Sequence, residues 1–327
     1  MKKNIAIIMG GYSSEIEISL QSGNVVYTHL DREKYNPYRV HILKEKWVVL
    51  DALDNEIPIQ KDNFSFLLNG KPVVFDCVFN AIHGSPGENG AILAYFDLLG
   101  LKHTSAPFYQ SALTFNKRDT LSVVKEYGIK AATSVYLNKG DTINSNKIID
   151  QIGLPCFVKP NKAGSSFGIS KVHVLEELIP AIKKAYTEDS EILIESFLDG
   201  TEVSVGVIQY KGEITVLPIT EIVSENDFFD YEAKYEGKSK EITPARISFE
   251  EQEKVEGVAK KIYKILKMSG FSRSEFILVK GEPYFLEMNT VPGLTEESIL
   301  PQQAQAAGVS LKDLFDNAIV SALSSFK

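Results

Sequence analysis

Gly270-Phe271-Ser272-Arg273-Ser274-Glu275-Phe276-Ile277-Leu278-Val279-Lys280-Gly281-Glu282-Pro283-Tyr284-Phe285-Leu286-Glu287-Met288-Asn289 is the most informative stretch of the chain. Residues 275–279 and 283–288 read as strands, and Lys280-Gly281-Glu282 between them signals a hairpin. With the turn centred on Gly281, Val279 faces Pro283 and Glu275 faces Glu287. Two carboxylates placed directly opposite repel each other. Asn289, two residues beyond Glu287, points to the same face. Three oxygen donors then converge beside Arg273, a set suited to Mg2+ with phosphates completing its shell. A solvent-facing hairpin bearing ordinary surface acids fits the same letters, and both readings stand at this point.

Working outward, residues 250–267 form the clearest helix, with Val255, Val258, Ile262 and Ile265 on one face and Gly270 just past its end. Upstream lies a polar segment, residues 224–248, with little apolar periodicity. It contains Asp227-Phe228-Phe229-Asp230-Tyr231-Glu232-Ala233-Lys234-Tyr235. A stretch of this length without secondary structure reads as a lid over a charged ligand or as a surface insertion. Strands are expected at 202–208 and 213–219, and a terminal helix at 311–323.

The middle of the chain reads as an antiparallel-leaning α+β module. It has helices at 117–127 and 176–186, and strands at 156–159, 172–174 and 191–195. Its loop Lys159-Pro160-Asn161-Lys162-Ala163-Gly164-Ser165-Ser166-Phe167-Gly168 is built of small residues whose N–H groups can turn toward an anion. It lacks a Walker A ending, and a strand follows it. The first hundred residues open with an apolar strand at 4–9, then Gly10-Gly11, Ser13-Ser14 as helix N-cap and a helix through Leu30. A strand at 73–80 leads into His83-Gly84-Ser85-Pro86-Gly87-Glu88-Asn89-Gly90 and a helix at 91–99. This is the start of an open α/β sheet, which places Glu15 and His83 where such sheets bind ligands.

Length and composition agree with several packed domains. The chain has 327 residues, 44% of them hydrophobic and 24% charged, enough for about two or three domains. Its 35 basic and 43 acidic residues leave a net charge of 35 − 43 = −8. That argues against a nucleic-acid binder acting through a general basic surface. Cys77 and Cys156 lie far apart in apolar stretches, so neither a disulfide framework nor a cysteine-rich zinc site is expected. No apolar run is long enough to span a membrane, and the start is too short in apolar residues for a signal peptide. A soluble, cytoplasmic protein of mixed α/β class is expected. No Ser-His-Asp order, His-Glu-x-x-His, Gly-x-Ser-x-Gly or dinucleotide fingerprint is present.

Taken in order, these pieces resemble the D-alanine–D-alanine ligase family of ATP-grasp enzymes over nearly the whole chain. The landmarks are Gly10-Gly11 with Ser14-Glu15 and Ser19-Leu20; His83-Gly84 with Gly87-Glu88 and Gly90; Ser111-Ala112-Leu113 before Lys117; Lys159-Pro160 with Gly164-Ser165-Ser166 and Gly168; Glu195 to Leu198 with Glu202; residues 229–235; and Leu286-Glu287, Asn289 and Pro292-Gly293. The resemblance implies three α/β domains: a parallel-sheet N-terminal domain, 1–105; a central subdomain with the glycine-rich loop, 106–200; and a C-terminal subdomain with the lid and metal hairpin, 201–327. ATP would lie between the antiparallel sheets of the second and third.

The same resemblance implies roles. Lys117, Lys159 and Lys234 hold ATP phosphates. Glu195, Leu198 and Glu202 contact adenine and ribose, with Phe228 nearby. Ser165 and its loop cover the γ-phosphate. Glu275, Glu287 and Asn289 hold magnesium, two ions, with Mn2+ able to stand in. Arg273 stabilises the developing oxyanion. Glu15, Ser165 and Tyr235 form a hydrogen-bonded group that closes the site and orients the first D-alanine. His83 lies near that substrate, and Gly293 and Ser298 contact the second. The implied reaction joins two D-alanines through an acylphosphate, and the implied assembly is a homodimer. An acceptor other than D-alanine (D-lactate, D-serine or another amino acid) and a non-catalytic ATP-binding paralogue are the competing readings; Tyr235 favours an amine nucleophile. The chain departs from the family's usual pattern at Asn89, Asn116, Glu275 and Met288.

Overall fold

The computed structural model describes residues 2–164, 167–224 and 239–324. Strand β1 (Lys3–Gly10), buried from Ile5 onward, is the centre of the first sheet. Helix α1 (Ile16–His29) follows it, then β2 (Tyr35–Ile42), β3 (Trp47–Leu50) and β4 (Glu56–Pro58). A small hairpin of β5 (Ser65–Leu68) and β6 (Lys71–Val74) stands apart. The sheet is completed by β7 (Cys77–Asn80), helix α2 (Ala91–Leu98) and β8 (Lys102–His103), in the order β4-β3-β2-β1-β7-β8. Its β2-β1-β7-β8 part is parallel as expected, but β3 and β4 are antiparallel additions, so the sheet is mixed.

The single strand expected at 73–80 is two strands. Between β6 and β7 the Asp76 carboxylate accepts the Asn4 N–H at 2.8 Å and pairs with Lys3 at 2.8 Å, which pins the chain where β7 enters the sheet. The helix N-cap also differs from expectation. The Ser13 hydroxyl accepts the Glu15 N–H and donates to the His83 carbonyl, leaving Glu15 itself at the N-cap of α1.

Helices α3 (Phe108–Phe115) and α4 (Lys117–Glu126) lead into β9 (Ser134–Asn138), α5 (Ser145–Ile152), β10 (Cys156–Pro160), β11 (Ser170–Val172), α6 (Leu178–Glu188) and β12 (Glu191–Ser196). The second sheet runs β11-β10-β12-β9, antiparallel throughout. The strand expected at 172–174 starts earlier and stops at Val172. The Glu177 carboxylate takes the N–H groups of His173 and Val174 at 2.7 and 3.4 Å and begins a 3-10 turn, Leu175–Glu177, ahead of α6.

The third sheet contains β13 (Thr201–Tyr210), β14 (Glu213–Val216), β15 (Thr220–Ser224), β16 (Ser239–Ile242), β17 (Phe271–Val279) and β18 (Glu282–Asn289). Its order is β16-β15-β13-β17-β18, with β14 also on β13. Of the polar segment, 225–238 lies outside the described residues, while 239–242 is a strand paired with β15. Helix α7 (Phe249–Ile265) starts on a capping box between Ser248 and Glu251. Helices α8 (Ile299–Ala306) and α9 (Leu311–Ser324) close the chain.

The hairpin keeps the expected Glu275–Glu287 pairing by a different route. The turn is tighter: Lys280 and Gly281, with φ of 52° and 76°, form a two-residue turn of the left-handed kind, and Val279 pairs with Glu282. A β-bulge at Leu286 then restores the lost residue, so Glu275 faces Glu287 and Arg273 faces Asn289.

Burial explains how the sheets assemble. Ile5, Ile7, Met9 and Val26 share one core with Ile208, Phe271, Leu300, Phe315 and Ile319. The first and third sheets are therefore packed through α8 and α9 into a common interior. The second sheet has its own core against α5 and α6, built on Ile148, Val158, Ile182 and Ile194.

Candidate active site

Lys117 begins α4. The Asn116 side chain caps this helix by accepting the Asp119 N–H at 3.1 Å, as an aspartate would. The Lys117 ammonium donates to the Ala163 carbonyl at 2.8 Å and lies 3.2 Å from Glu287. It thus ties the glycine-rich loop to β18. Asn161, fully buried, fixes that loop from beneath. Its side-chain oxygen accepts the Arg118 N–H and its amide donates to Glu191, both at 2.9 Å.

Lys159 on β10 pairs with Glu195 on β12 at 2.8 Å, both largely buried. Burial alone would depress the Lys159 ammonium, but Glu195 beside it, with Glu287 and Glu202 in range, holds its pKa above the ordinary value. Arg273 on β17 repeats the pattern. It donates to Glu275 at 2.5 Å and to the Ser204 hydroxyl at 3.0 Å. Burial alone would lower its pKa, but Glu275 beside it, with Glu287 and Glu241 in range, raises it. Three cations thus meet three carboxylates, as Lys117–Glu287, Lys159–Glu195 and Arg273–Glu275.

The loops at the carboxyl ends of β1 and β7 face this cluster. Glu15 stands against Gly84 and Gly164; a Cβ on either glycine would lie within 3.2 Å of its carboxylate oxygens. His83 is buried with both ring nitrogens engaged. Its Nδ1 lies 2.8 Å from the Val291 carbonyl and its Nε2 lies 3.1 Å from the Ser22 hydroxyl, so Nδ1 carries the proton. Burial lowers the His83 pKa. Glu88 accepts the Gly84 N–H at 3.0 Å, and burial, then the nearby Glu15 charge, pushes its pKa up to about 8.

Gly293 and Ser298 also come together. A Cβ on Gly293 would stand 2.6 Å from the Ser298 hydroxyl, which itself bonds Thr295 at 2.7 Å. Leu198 and Glu202 flank the turn from β12 into β13, half-buried. Met288 is buried in the core beneath the sheet, opposite Ser274, so its bulk lies away from Arg273 and Glu275. Ser165, Phe228, Lys234 and Tyr235 lie outside the described residues. Asn161, Ser204 and Gln303 are buried members of the assembly that sequence reading passed over, because a lone polar residue in an apolar run carries no periodic signal.

Comparison with known proteins matches the same architecture. A family model described as the D-ala D-ala ligase N-terminus covers residues 4–106, and one described as the D-ala D-ala ligase C-terminus covers 123–320. The chain belongs to the D-alanine–D-alanine ligase family. A D-alanine–D-alanine ligase of Flavobacterium johnsoniae is 71% identical over 317 residues, covering 97% of this chain and 98% of that protein. Among solved structures, the D-Ala:D-Ser ligase VanG of Enterococcus faecalis is 32% identical with a TM-score of 0.85, covering 98% of this chain and 99% of that one. A D-alanine–D-alanine ligase of Bacillus anthracis complexed with ATP is 27% identical with a TM-score of 0.78, covering 98% and 97%. The fold is therefore that of the ATP-grasp D-alanine ligases, and the enzyme is a carbon–nitrogen ligase whose family makes D-alanyl-D-alanine with ATP for peptidoglycan. No helix among the described residues is long and apolar enough to cross a membrane.

Proposed function

We propose that this chain joins two D-alanines through an acylphosphate, with the convergent residues in the roles that follow. One observation carries the assignment: the pairs Lys117–Glu287 and Arg273–Glu275 meet on the β17–β18 hairpin, and the Lys159–Glu195 pair of the second sheet lies within range of the Glu287 charge. Lysine has three N–H donors, so Lys117 and Lys159 can keep their carboxylates and still hold ATP phosphates. Glu195, Leu198 and Glu202, with Phe228, would seat adenine and ribose; Lys234, Ser165 and the glycine-rich loop would complete the phosphate site.

Glu275 and Glu287 would repel phosphates unless a dication lay between them. With Asn289 they offer hard oxygen donors that fit Mg2+, one ion or two, and would equally accept Mn2+. When bound, the metal neutralises phosphate charge. Among the described residues no group of three or more His, Cys, Asp or Glu is placed to hold a metal ion.

In the reaction the first D-alanine's carboxylate attacks the γ-phosphorus, giving its acylphosphate and ADP; the second D-alanine's amine then attacks the acyl carbon and phosphate leaves. The chain contributes mainly positioning. Glu15, with Ser165 and Tyr235, orients the first D-alanine, and His83 shapes the wall beside it. Arg273 and the Gly293 N–H are preset for the tetrahedral oxyanion. Ser298 holds the second D-alanine. Residues 224–248 exclude water that would hydrolyse the acylphosphate. The reading places these parts in domains 1–105, 106–200 and 201–327, in the cytoplasm and in a homodimer; light scattering on the purified chain tests the dimer.

The assignment is tested with the double variant Glu287→Gln, Asn289→Ala. It should bind ATP by calorimetry yet make no dipeptide detectable by mass spectrometry. Dipeptide formation at the normal rate would overturn the metal assignment.

A further inference from the structure

Strand β13 pairs with β17 along one edge, but its other edge, which carries β15 and β14, is left without a strand partner over a short gap. Its pairing with β15 ends at Ser204, opposite Thr220, and its pairing with β14 begins at Val207, opposite Val216. The gap is filled by a side chain. Gln303, on α8 and fully buried, accepts the Gly206 N–H through Oε1 at 3.0 Å and donates through Nε2 to the Ser204 carbonyl at 2.8 Å. The same Nε2 lies 3.1 Å from the Thr220 hydroxyl, which bonds Thr243 at 2.6 Å. A primary amide offers a donor and an acceptor side by side, so it substitutes for the missing peptide group. Gly206 makes room for it: a Cβ there would stand 2.6 Å from Leu300 and 2.7 Å from the Gln303 oxygen.

This amide sits between two parts of the reaction. Ser298, the N-cap residue of α8, lies five positions before Gln303, which stands in the middle of the same helix. Ser204, whose carbonyl Gln303 holds, presents its hydroxyl to Arg273 at 3.0 Å. We propose that Gln303 is a positioning residue that sets the acceptor-bearing end of α8 against the Arg273 guanidinium, through its bonds to Ser204 and Gly206. The proposal rests on the roles given above to Ser298 and Arg273. Its chemical content is a fixed distance between the incoming amine and the oxyanion donors. If that distance loosens, the acylphosphate waits longer for its nucleophile and water takes its place.

The test compares Gln303→Leu, Gln303→Glu and Ser298→Ala with the unaltered enzyme. Gln303→Glu keeps the side-chain volume and the Gly206 contact and removes the donor to Ser204. The readouts are half-saturation for D-alanine, half-saturation for ATP, phosphate released per dipeptide, and melting temperature. Both Gln303 variants should raise D-alanine half-saturation by about tenfold, leave that for ATP unchanged, and raise phosphate released per dipeptide above that of the unaltered enzyme. In the Ser298→Ala background, Gln303→Glu should add little further. A lowered melting temperature with unchanged D-alanine half-saturation and unchanged stoichiometry would overturn the proposal and leave Gln303 a purely structural residue. If Ser298→Ala leaves D-alanine half-saturation unchanged, the acceptor role of Ser298 falls and the proposal falls with it. If Ser298→Ala raises it and Gln303→Glu does not, the proposal falls alone.

Discussion

Lys159 and Glu195 show what a buried pair demands of each partner. Removing the lysine leaves a buried carboxylate that, among the described residues, keeps a 3.4 Å contact from the Ser134 hydroxyl. Lys159→Met should therefore destabilise the protein by about 3 kcal/mol in denaturant unfolding and weaken ATP binding in calorimetry. Glu88 gives a pH signature. Its folded pKa, raised from 4.5 to about 8, means the folded state keeps a proton that the unfolded chain has lost. Its contribution to stability is thus complete below 4.5 and lost as pH rises toward about 8. Glu88→Gln should flatten the fall in melting temperature across that window; an unchanged profile would contradict the assignment. Hairpin register alone drew Glu275, Glu287 and Asn289 together beside Arg273, whereas Lys117 and Lys159 joined that group only through the family resemblance. The sequence assigned no work to Glu88, Asn161 or Gln303, whose meaning is a partner distant in the chain.

The hairpin of β17 and β18 shows how a register can be right for reasons the letters hide. Gly281 announces a turn, but residue order does not say whether it is the centre or the second residue of the turn. Nor does it reveal the bulge at Leu286 that restores the pairing. Lys280 occupies a left-handed conformation at φ 52°, which glycine adopts without steric cost. Lys280→Gly should raise stability by about 0.5–1 kcal/mol in urea unfolding, with activity unchanged; a loss of stability would argue against the two-residue turn. Elements with strong periodicity, such as α7, were legible. Strands β9 and β16 and helix α5 were not: they are short, polar along one side, and held by neighbours rather than by their own pattern.

The first and third sheets share an interior, so their stability is joint. Phe315 on α9 is fully buried against Phe79 of β7, with ring centroids 5.6 Å apart. Phe315→Ala should cost about 3–5 kcal/mol, and thermal unfolding should show the N-terminal and C-terminal regions lost together. A fragment of residues 1–105, deprived of Phe271, Leu300 and Phe315, should lack a cooperative melting transition by circular dichroism. The open α/β start and the antiparallel later sheets could be read from strand and helix order. Their common core could not, because it joins Ile5 and Met9 to residues some three hundred positions away. The whole assembly is tested most directly by incubating the enzyme with ATP and Mg2+ against single and paired D-alanine, L-alanine, D-serine and D-lactate, following phosphate release and weighing the product. The account predicts release with D-alanine alone, one phosphate for each D-alanyl-D-alanine formed. Release only with another acceptor, or ATP binding without release for any pair, would contradict it.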